Sequence, residues 1–275
     1  MCSSVKQAGS LLGGIFTQGD SMIRHCDVHG EYTARVYKVG SIERELPCIE
    51  CFEAEKEERS RIEMKEMEEK HKRLREEAEQ RRIKEKTGAA RIPKRFQGKT
   101  FADYIAETPQ QRKALEACES YAHNFSDNLE AGRCLILSGN VGTGKTHLAA
   151  AIADYVVRET EYTAIFRSLH SILQAIKSTY APGSEVTEAE IFRLLTGPDL
   201  LIVDEVGATK PSEFELSTLF ALINTRYENK LPTIVVTNLA ASELKNSIGD
   251  RCADRLREGG GRAIAFDWKS KRSTL

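Results

Sequence analysis

The chain predicts an α/β fold: a parallel sheet between helices over residues 88–275, preceded by a small Cys/His module and a long charged helix. Three observations predict it. Short runs rich in Val, Ile and Leu alternate with segments whose apolar residues recur at helical spacing, the pattern of a parallel sheet covered on both faces. A glycine-rich segment, Gly139 to Thr146, lies between one such run and one such helix. Residues 53–86 are a run of Glu, Lys and Arg with no Gly or Pro, which reads as one helix.

Four zones follow in order. Residues 1–21 are small and polar and read as a flexible tail, 22–52 hold a Cys/His cluster, 53–86 are the charge run, and 88–275 return to ordinary globular composition. In the charge run a Glu precedes a base by four residues at Glu55/Arg59, Glu57/Arg61, Glu66/Lys70, Glu68/Lys72, Glu69/Arg73 and Glu77/Arg81. Each such pair supports a helix by roughly 0.2–0.5 kcal/mol. Its apolar residues (Ile62, Met64, Met67, Leu74, Ile83) are too sparse for a coiled-coil seam, so the helix is expected to bridge domains or meet a partner. Thr87-Gly88 is expected to end it.

Beyond it, Arg133–Leu137 reads as a strand and His147–Val157 as a helix with Leu148, Ala151, Ile152 and Tyr155 on one face. Ala164–Arg167 is a second strand, and Ser168 caps a helix carrying Leu169, Ile172, Leu173 and Ile176. Leu200–Val203 is a continuous buried strand. Ser212-x-x-Glu215 opens a helix as a capping box, with Leu216, Leu219, Phe220, Ile223 and Tyr227 at helical spacing, and Thr233–Thr237 is a further strand.

The 275 residues are 40% hydrophobic and 29% charged, enough apolar material for a packed core. A net charge of −1 excludes a uniformly basic nucleic-acid coat but leaves room for a local basic surface. No apolar run approaches the ~18 residues of a membrane span, so no membrane partner is expected. The opening Met1–Phe16 is too weak for a secretory signal. With metal-like spacing among its cysteines, the chain fits a reducing, cytoplasmic setting rather than a disulfide scaffold.

The chemistry concentrates first in Gly139-Asn140-Val141-Gly142-Thr143-Gly144-Lys145-Thr146, which satisfies G-x-x-x-x-G-K-[ST] between a strand and a helix. Gly142 and Gly144 let backbone N–H groups turn inward around phosphate oxygens, and the helix opening at Thr146-His147 adds partial positive charge. Lys145 is placed to reach the β- and γ-phosphates of ATP, and the Thr146 hydroxyl to ligate Mg2+. Asp204 and Glu205 end the strand at 200–203, where ligands bind in open α/β sheets; Asp204 suits the Mg2+ shell and Glu205 the activation of a water. Asn238, ending another strand, suits a contact to that water or to the γ-phosphate. Arg251 and Arg255 share a helix face and suit a finger that reaches a neighbour's nucleotide.

The second constellation is Cys26-x-x-His29 and Cys48-x-x-Cys51, with 18 residues between the pairs. Three thiolates and an imidazole close a tetrahedral Zn2+ site, structural because no position stays open. Gly30 and Pro47 supply turn chemistry, Tyr32–Tyr37 has strand composition, and His25 is a neighbouring competitor. The metal is expected to supply most of this segment's folding free energy.

Read together, GNVGTGKT, LLIVDE, TNL, IGDRCADRLREGGGRAIAFDW and WKSKR resemble the DnaC-type bacterial helicase loaders, AAA+ ATPases related to DnaA and to the IstB transposition helpers. Ile92–Phe96 and Phe101–Tyr104 resemble the segment that opens the ATPase domain in that group, so the resemblance covers about residues 88–275. It implies Walker A roles for Lys145 and Thr146, Walker B roles for Asp204 and Glu205, and sensor 1 at Asn238. It also implies box VII arginines at Arg251 and Arg255, the latter the better finger, and a sensor 2 arginine at Arg272. It further implies single-stranded DNA and a DnaB-like replicative helicase as partners, with self-association through the ATP sites. Ser168–Thr196 falls where the loaders insert DNA-touching helices, with Phe166, Arg167, Lys177, Tyr180 and Arg193 as candidates. The Cys/His front departs from the best-known loaders and suggests a phage or prophage version. The alternatives are an IstB-like helper preferring duplex DNA, or a nucleotide-sensing zinc adaptor.

Overall fold

The computed structural model describes residues 17–39, 42–208 and 211–271. The chain divides into two compact units, 1–78 and 79–275, with the boundary inside a helix. In the first unit β1 (Thr17–Cys26), β2 (Gly30–Val39) and β3 (Ile42–Glu45) form an antiparallel meander. Cys26 pairs with Gly30 where β1 turns into β2, and Gly30 takes φ 77, a conformation that glycine adopts without steric cost. Arg24 forks onto Glu45 at 2.8 and 3.3 Å and so ties the two outer strands together. Residues 17–21, expected in a flexible tail, lie in β1; residues 1–16 are outside the described residues.

Helix α1 (Ile49–Ala90) runs for 42 residues. It begins before the charge run and passes through Thr87-Gly88 instead of ending there. A glycine costs a helix only about 1 kcal/mol, and Thr87 gives its hydroxyl to the Ile83 carbonyl at 2.7 Å. The stop comes at Arg91, which takes the left-handed conformation (φ 51) usual for a glycine after a helix, ahead of Pro93. Lys86 donates to the carbonyls of Thr160, Glu161 and Tyr162 at 3.3, 2.6 and 3.1 Å, and Ala90 and Ile92 are buried in the core of the second unit.

The second unit continues with α2 (Pro109–His123), α3 (Phe125–Glu130), β4 (Leu135–Gly139), α4 (Lys145–Glu159), β5 (Ala164–Ser168), α5 (Leu169–Ser178) and α6 (Glu188–Thr196). It closes with β6 (Leu200–Val206), α7 (Glu213–Glu228), β7 (Thr233–Thr237), α8 (Ala241–Ile248), α9 (Asp250–Arg257) and β8 (Arg262–Phe266). Among the described residues β4–β8 form one parallel sheet in the order β5-β6-β7-β4-β8. Successive strand residues face opposite sides. Leu135, Leu137, Ile202 and Val236 pack toward α4, whereas Ile136, Val203 and Val235 pack with residues of α5, α7 and α9. Ser168 and Ser212 cap α5 and α7 by accepting from the N–H of Ser171 and Glu215, each at 3.2 Å.

Phe166 is 2% exposed and belongs to the core on the α4 side. The expectation that it faces nucleic acid is therefore corrected; the inward phase of β5 takes it. Among the described residues no helix is long and apolar enough to cross a membrane.

One buried cation fastens the sheet's lower end. Arg226 on α7 is 0% exposed and donates to Thr233 Oγ1 (3.1 Å) and to the carbonyls of Leu195, Pro198, Asp199 and Pro232 at 2.8–3.1 Å. Burial pulls its pKa down to about 10, so it stays charged at neutral pH. Arg226→Leu would leave these acceptors unpaired and is expected to lower unfolding free energy by about 3 kcal/mol or more, measured by urea denaturation.

Candidate nucleotide site and metal cluster

The loop between β4 and α4 is built around positive φ. Gly139, Gly142 and Gly144 take φ 125, 76 and 97. A Cβ on Gly139 would sit 2.6 Å from the Phe266 carbonyl oxygen of β8, and one on Gly144 would sit 2.5 Å from the Tyr104 ring. Thr143 turns its hydroxyl back to the Asn140 carbonyl at 2.8 Å. The Thr143 carbonyl accepts from Tyr104 Oη (3.0 Å) and Trp268 Nε1 (3.2 Å), and Asn140 Nδ2 donates to the Trp268 carbonyl at 3.2 Å. Burial pushes the Tyr104 phenol up to about 12, so it remains a donor. Lys145 is 4% exposed and lays Nζ on the carbonyls of Gly139 (2.8 Å) and Asn140 (2.6 Å).

This loop lines a cleft of about 440 Å3. Phe96, Tyr104, Ile105 and Val141 give it an apolar wall; Gly142 to His147 form its floor; Asp204, Glu205 and Asn238 stand in the same lining. Residues separated widely in the chain thus meet because β4, β6 and β7 end together, β4 pairing with β7 and β7 with β6. Asp204 is 8% exposed; desolvation pushes its pKa up, opposed by the Glu205 N–H (2.8 Å to Oδ1) and by the Thr146 hydroxyl. Glu205 sits where the β6–β7 register shifts between Val203 and Val206, and its φ is 60. A non-glycine residue held there costs on the order of 1–3 kcal/mol and is kept only where its surroundings determine it.

The remaining expected residues differ in where they stand. His147 puts Nε2 3.0 Å from the Thr100 carbonyl and its ring edge-on to Tyr104 at 5.8 Å, so it buttresses the cleft wall. Arg251 and Arg255 lie on α9, outside the lining of the cleft; Arg255 pairs with Glu258 at 3.2 Å and covers the Tyr227 ring at 4.2 Å. Arg272 lies outside the described residues. Its neighbour Lys271 lines the cleft, gives its backbone N–H to the Gly142 carbonyl at 3.0 Å and its ammonium to the Ile105 carbonyl. Tyr104, Trp268 and Lys271 are the residues that motif reading missed as parts of the site. Their signal lay in the FADY and FDWKSK segments, whose distance along the chain hid their closeness.

The fit to a nucleotide rests on these features. The glycines keep the loop free of side-chain bulk, the lysine ammonium is within the lining, and a desolvated carboxylate adjoins a hydroxyl. That carboxylate–hydroxyl pair, Asp204 with Thr146, has the hard oxygen donors magnesium takes.

In the first unit Cys26, His29, Cys48 and Cys51 form one cluster, their ligand atoms all within 4.8 Å of one another. Cys26 Sγ lies 3.5 Å from Cys51 Sγ, and His29 Nδ1 lies 3.7, 3.6 and 3.3 Å from Cys26, Cys48 and Cys51. The β1–β2 turn supplies one pair, and the segment running into the first turn of α1 supplies the other. The N–H groups of Val28 and His29 pull Cys26 down to about 6, whereas its hydrogen bond with Cys26 leads in pushing Cys51 up to about 11. Crowded thiols of this kind with one imidazole fit tetrahedral zinc. The outer His29 nitrogen lies 3.6 Å from Glu50, a carboxylate suited to orient the ring. His25 is not in the cluster.

The Gly144 contact yields a test of the cleft. Gly144→Ala must displace Tyr104 while holding φ 97, and nucleotide affinity is expected to fall at least tenfold, about 1.4 kcal/mol, read by titration with a fluorescent ATP analogue.

Comparison with known proteins places this geometry. The profile of the IstB-like ATP binding protein family matches residues 49–255. A replicative helicase loader DnaC from Buchnera aphidicola subsp. Schizaphis graminum is 32% identical over 185 residues, 67% of this chain and 74% of that protein. Among solved structures, the DnaC helicase loader superposes with a TM-score of 0.56 at 22% identity, covering 62% of this chain and 98% of that one. AMPPCP-bound DnaA from Aquifex aeolicus gives a TM-score of 0.52 at 24% identity, covering 64% of this chain and 51% of that one. The fold is thus that of the AAA+ replication proteins, and the chain belongs to the IstB-like ATP-binding protein family, in kinship with the DnaC helicase loaders.

Proposed function

We propose that this protein is a cytoplasmic ATPase that loads a ring-shaped, DnaB-like replicative helicase onto single-stranded DNA. The observation that carries the reading is the convergence of Lys145, Thr146, Asp204, Glu205 and Asn238 on one cleft, in a chain similar to DnaC loaders. In this reading Lys145 leaves its loop carbonyls for the β- and γ-phosphates, and backbone N–H groups of Gly142–Thr146 hold their oxygens. Thr146 and Asp204 hold Mg2+, whose charge would offset that of the phosphates. Glu205 orients a water and takes its proton as the water oxygen attacks the γ-phosphorus and the bond to ADP breaks. Asn238 fixes the water or the γ-phosphate. Arg255, with Arg251 beside it, completes the site of a neighbouring copy in trans, and Arg272 takes the sensor 2 role that the family resemblance gives it. The isolated chain therefore turns over slowly.

Glu205→Gln is expected to bind ATP normally and lose at least about a hundredfold in turnover, whereas Arg255→Ala keeps binding and loses assembly-stimulated hydrolysis. Capture of the host replicative helicase by the full chain, and its loss of capture on truncation of residues 1–86, tests the partner; no capture in any nucleotide state sinks the loader role. The family match to IstB-like proteins favours one second reading, a transposase helper. It predicts tighter binding to duplex than to single strands at matched salt.

The four-residue cluster holds a structural zinc ion in this proposal. Metal analysis is expected to find one zinc per chain. Cys48→Ser or chelation should remove it and expose residues 22–52 to protease, leaving nucleotide affinity within about twofold because metal binding is folding free energy for that segment alone.

A further inference from the structure

One buried hydroxyl ties two edges of the cleft together. Between Val203 and Val206 strand β6 advances three residues, while β7, from Val235 to Thr237, advances two. Asp204 and Glu205 therefore share the place opposite Val236, and β6 carries a bulge of one extra residue. A bulge disturbs the ladder locally and re-aims the side chains on it. Thr237 closes this gap. It is 1% exposed, donates its hydroxyl to the Val206 carbonyl at 2.7 Å and accepts from the Leu239 N–H at 3.1 Å.

Val206 follows Glu205 in the chain and Leu239 follows Asn238, so the hydroxyl bonds to the residue after each. The Leu239 carbonyl in turn accepts from the N–H of Gly139, at the start of the phosphate loop, at 3.1 Å. A series of hydrogen bonds thus runs from Gly139 through Leu239 and Thr237 to Val206. Packing follows the same line. Gly207 takes φ 74, and a Cβ there would sit 2.6 Å from Leu239 Cδ1, so Leu239 lies directly on the backbone that leaves the bulge. Oγ1 accepts on one side and donates on the other, so its orientation is set, and each bond polarises the next. Glu205 holds φ 60, which persists only where its surroundings determine it. Its N–H is bonded to Asp204 at 2.8 Å; Thr237 supplies the constraint on its far side, through the Val206 carbonyl.

We infer that Thr237 is a positioning residue of the nucleotide site, whose hydroxyl fixes the Glu205 carboxylate relative to Asn238 and the phosphate loop. The inference rests on the proposed ATPase and names what aligns it. Asn238 and the phosphate loop are already joined by the backbone bond from Gly139 to Leu239, which does not need the hydroxyl. Glu205 stands on the bulge, and Thr237 links that bulge to the same segment. A valine of the same shape leaves the buried Val206 carbonyl without the hydroxyl, and the bulge relaxes toward other partners. The loop then still binds ATP, while the carboxylate no longer addresses the water that Asn238 holds.

The test uses the full chain at one fixed concentration, with affinity read by titration with a fluorescent ATP analogue and hydrolysis by single turnover of ATP. Thr237→Val is expected to slow hydrolysis at least about tenfold while affinity stays within about twofold of wild type. Thr237→Ser, which restores the hydroxyl, should recover the rate to within about threefold. In a Glu205→Gln background the carboxylate to be aligned is gone, and adding Thr237→Val should cost less than about twofold. A residue that only supports the fold would cost the same in both backgrounds. Should Thr237→Val not fold, Thr237→Ser against Thr237→Ala, a pair that differs only in the hydroxyl, gives the same comparison. A folded Thr237→Val with the wild-type rate, or equal fractional losses in the two backgrounds, overturns the inference and leaves the ATPase standing. A wild type that binds ATP and hydrolyses none overturns the ATPase reading and this inference with it.

Discussion

The carbonyl of Thr143 accepts two hydrogen bonds, from a tyrosine nearly forty residues upstream and from a tryptophan near the chain's end, and the phosphate loop depends on both. A glycine-rich turn has many conformations open to it. Here Tyr104 and Trp268 select one, Asn140 adds a bond to the Trp268 carbonyl, and the Phe266 carbonyl of β8 leaves no room for a side chain at Gly139. Order is imposed from outside the motif by segments that the topology brings beside it. The fifth strand of the sheet therefore serves the site as well as the fold: β8 delivers Phe266 and Trp268 alongside β4.

The same economy governs the acidic side. β6 would end in an ordinary strand if its register with β7 were unbroken. The shift between Val203 and Val206 gives adjacent carboxylates different surroundings, Asp204 nearly buried and bonded, Glu205 exposed to the cleft. Neighbouring residues of the same charge thereby acquire separate chemistry without being far apart.

Much of this was legible in the sequence. Thr233–Thr237 reads as a strand from β-branched density alone, and the motif at 139–146 announces its own strand and helix because its spacing is dictated by phosphate geometry. The Cys/His spacing likewise marks a cluster, since ligand pairs need turns. Less legible were features that depend on distant partners. Phe166 reads as a surface aromatic until β5 is given its inward phase. The end of α1 was hidden because the left-handed stop falls on Arg91, which has no propensity for it, while the glycine that does sits harmlessly inside the helix. Lys271 lies within the WKSKR segment, but nothing in that segment names its target; only the passage of the C-terminal segment past Gly142 brings it to the cleft.

The backbone of Glu205 carries a last consequence. A side chain in the left-handed region is a standing opposition between durability and catalysis, because glycine would relax that peptide and delete the carboxylate in one step. Selection for robustness alone would move this position toward silence. On the proposed mechanism, the glutamate there marks the place where the molecule gives up stability for reactivity.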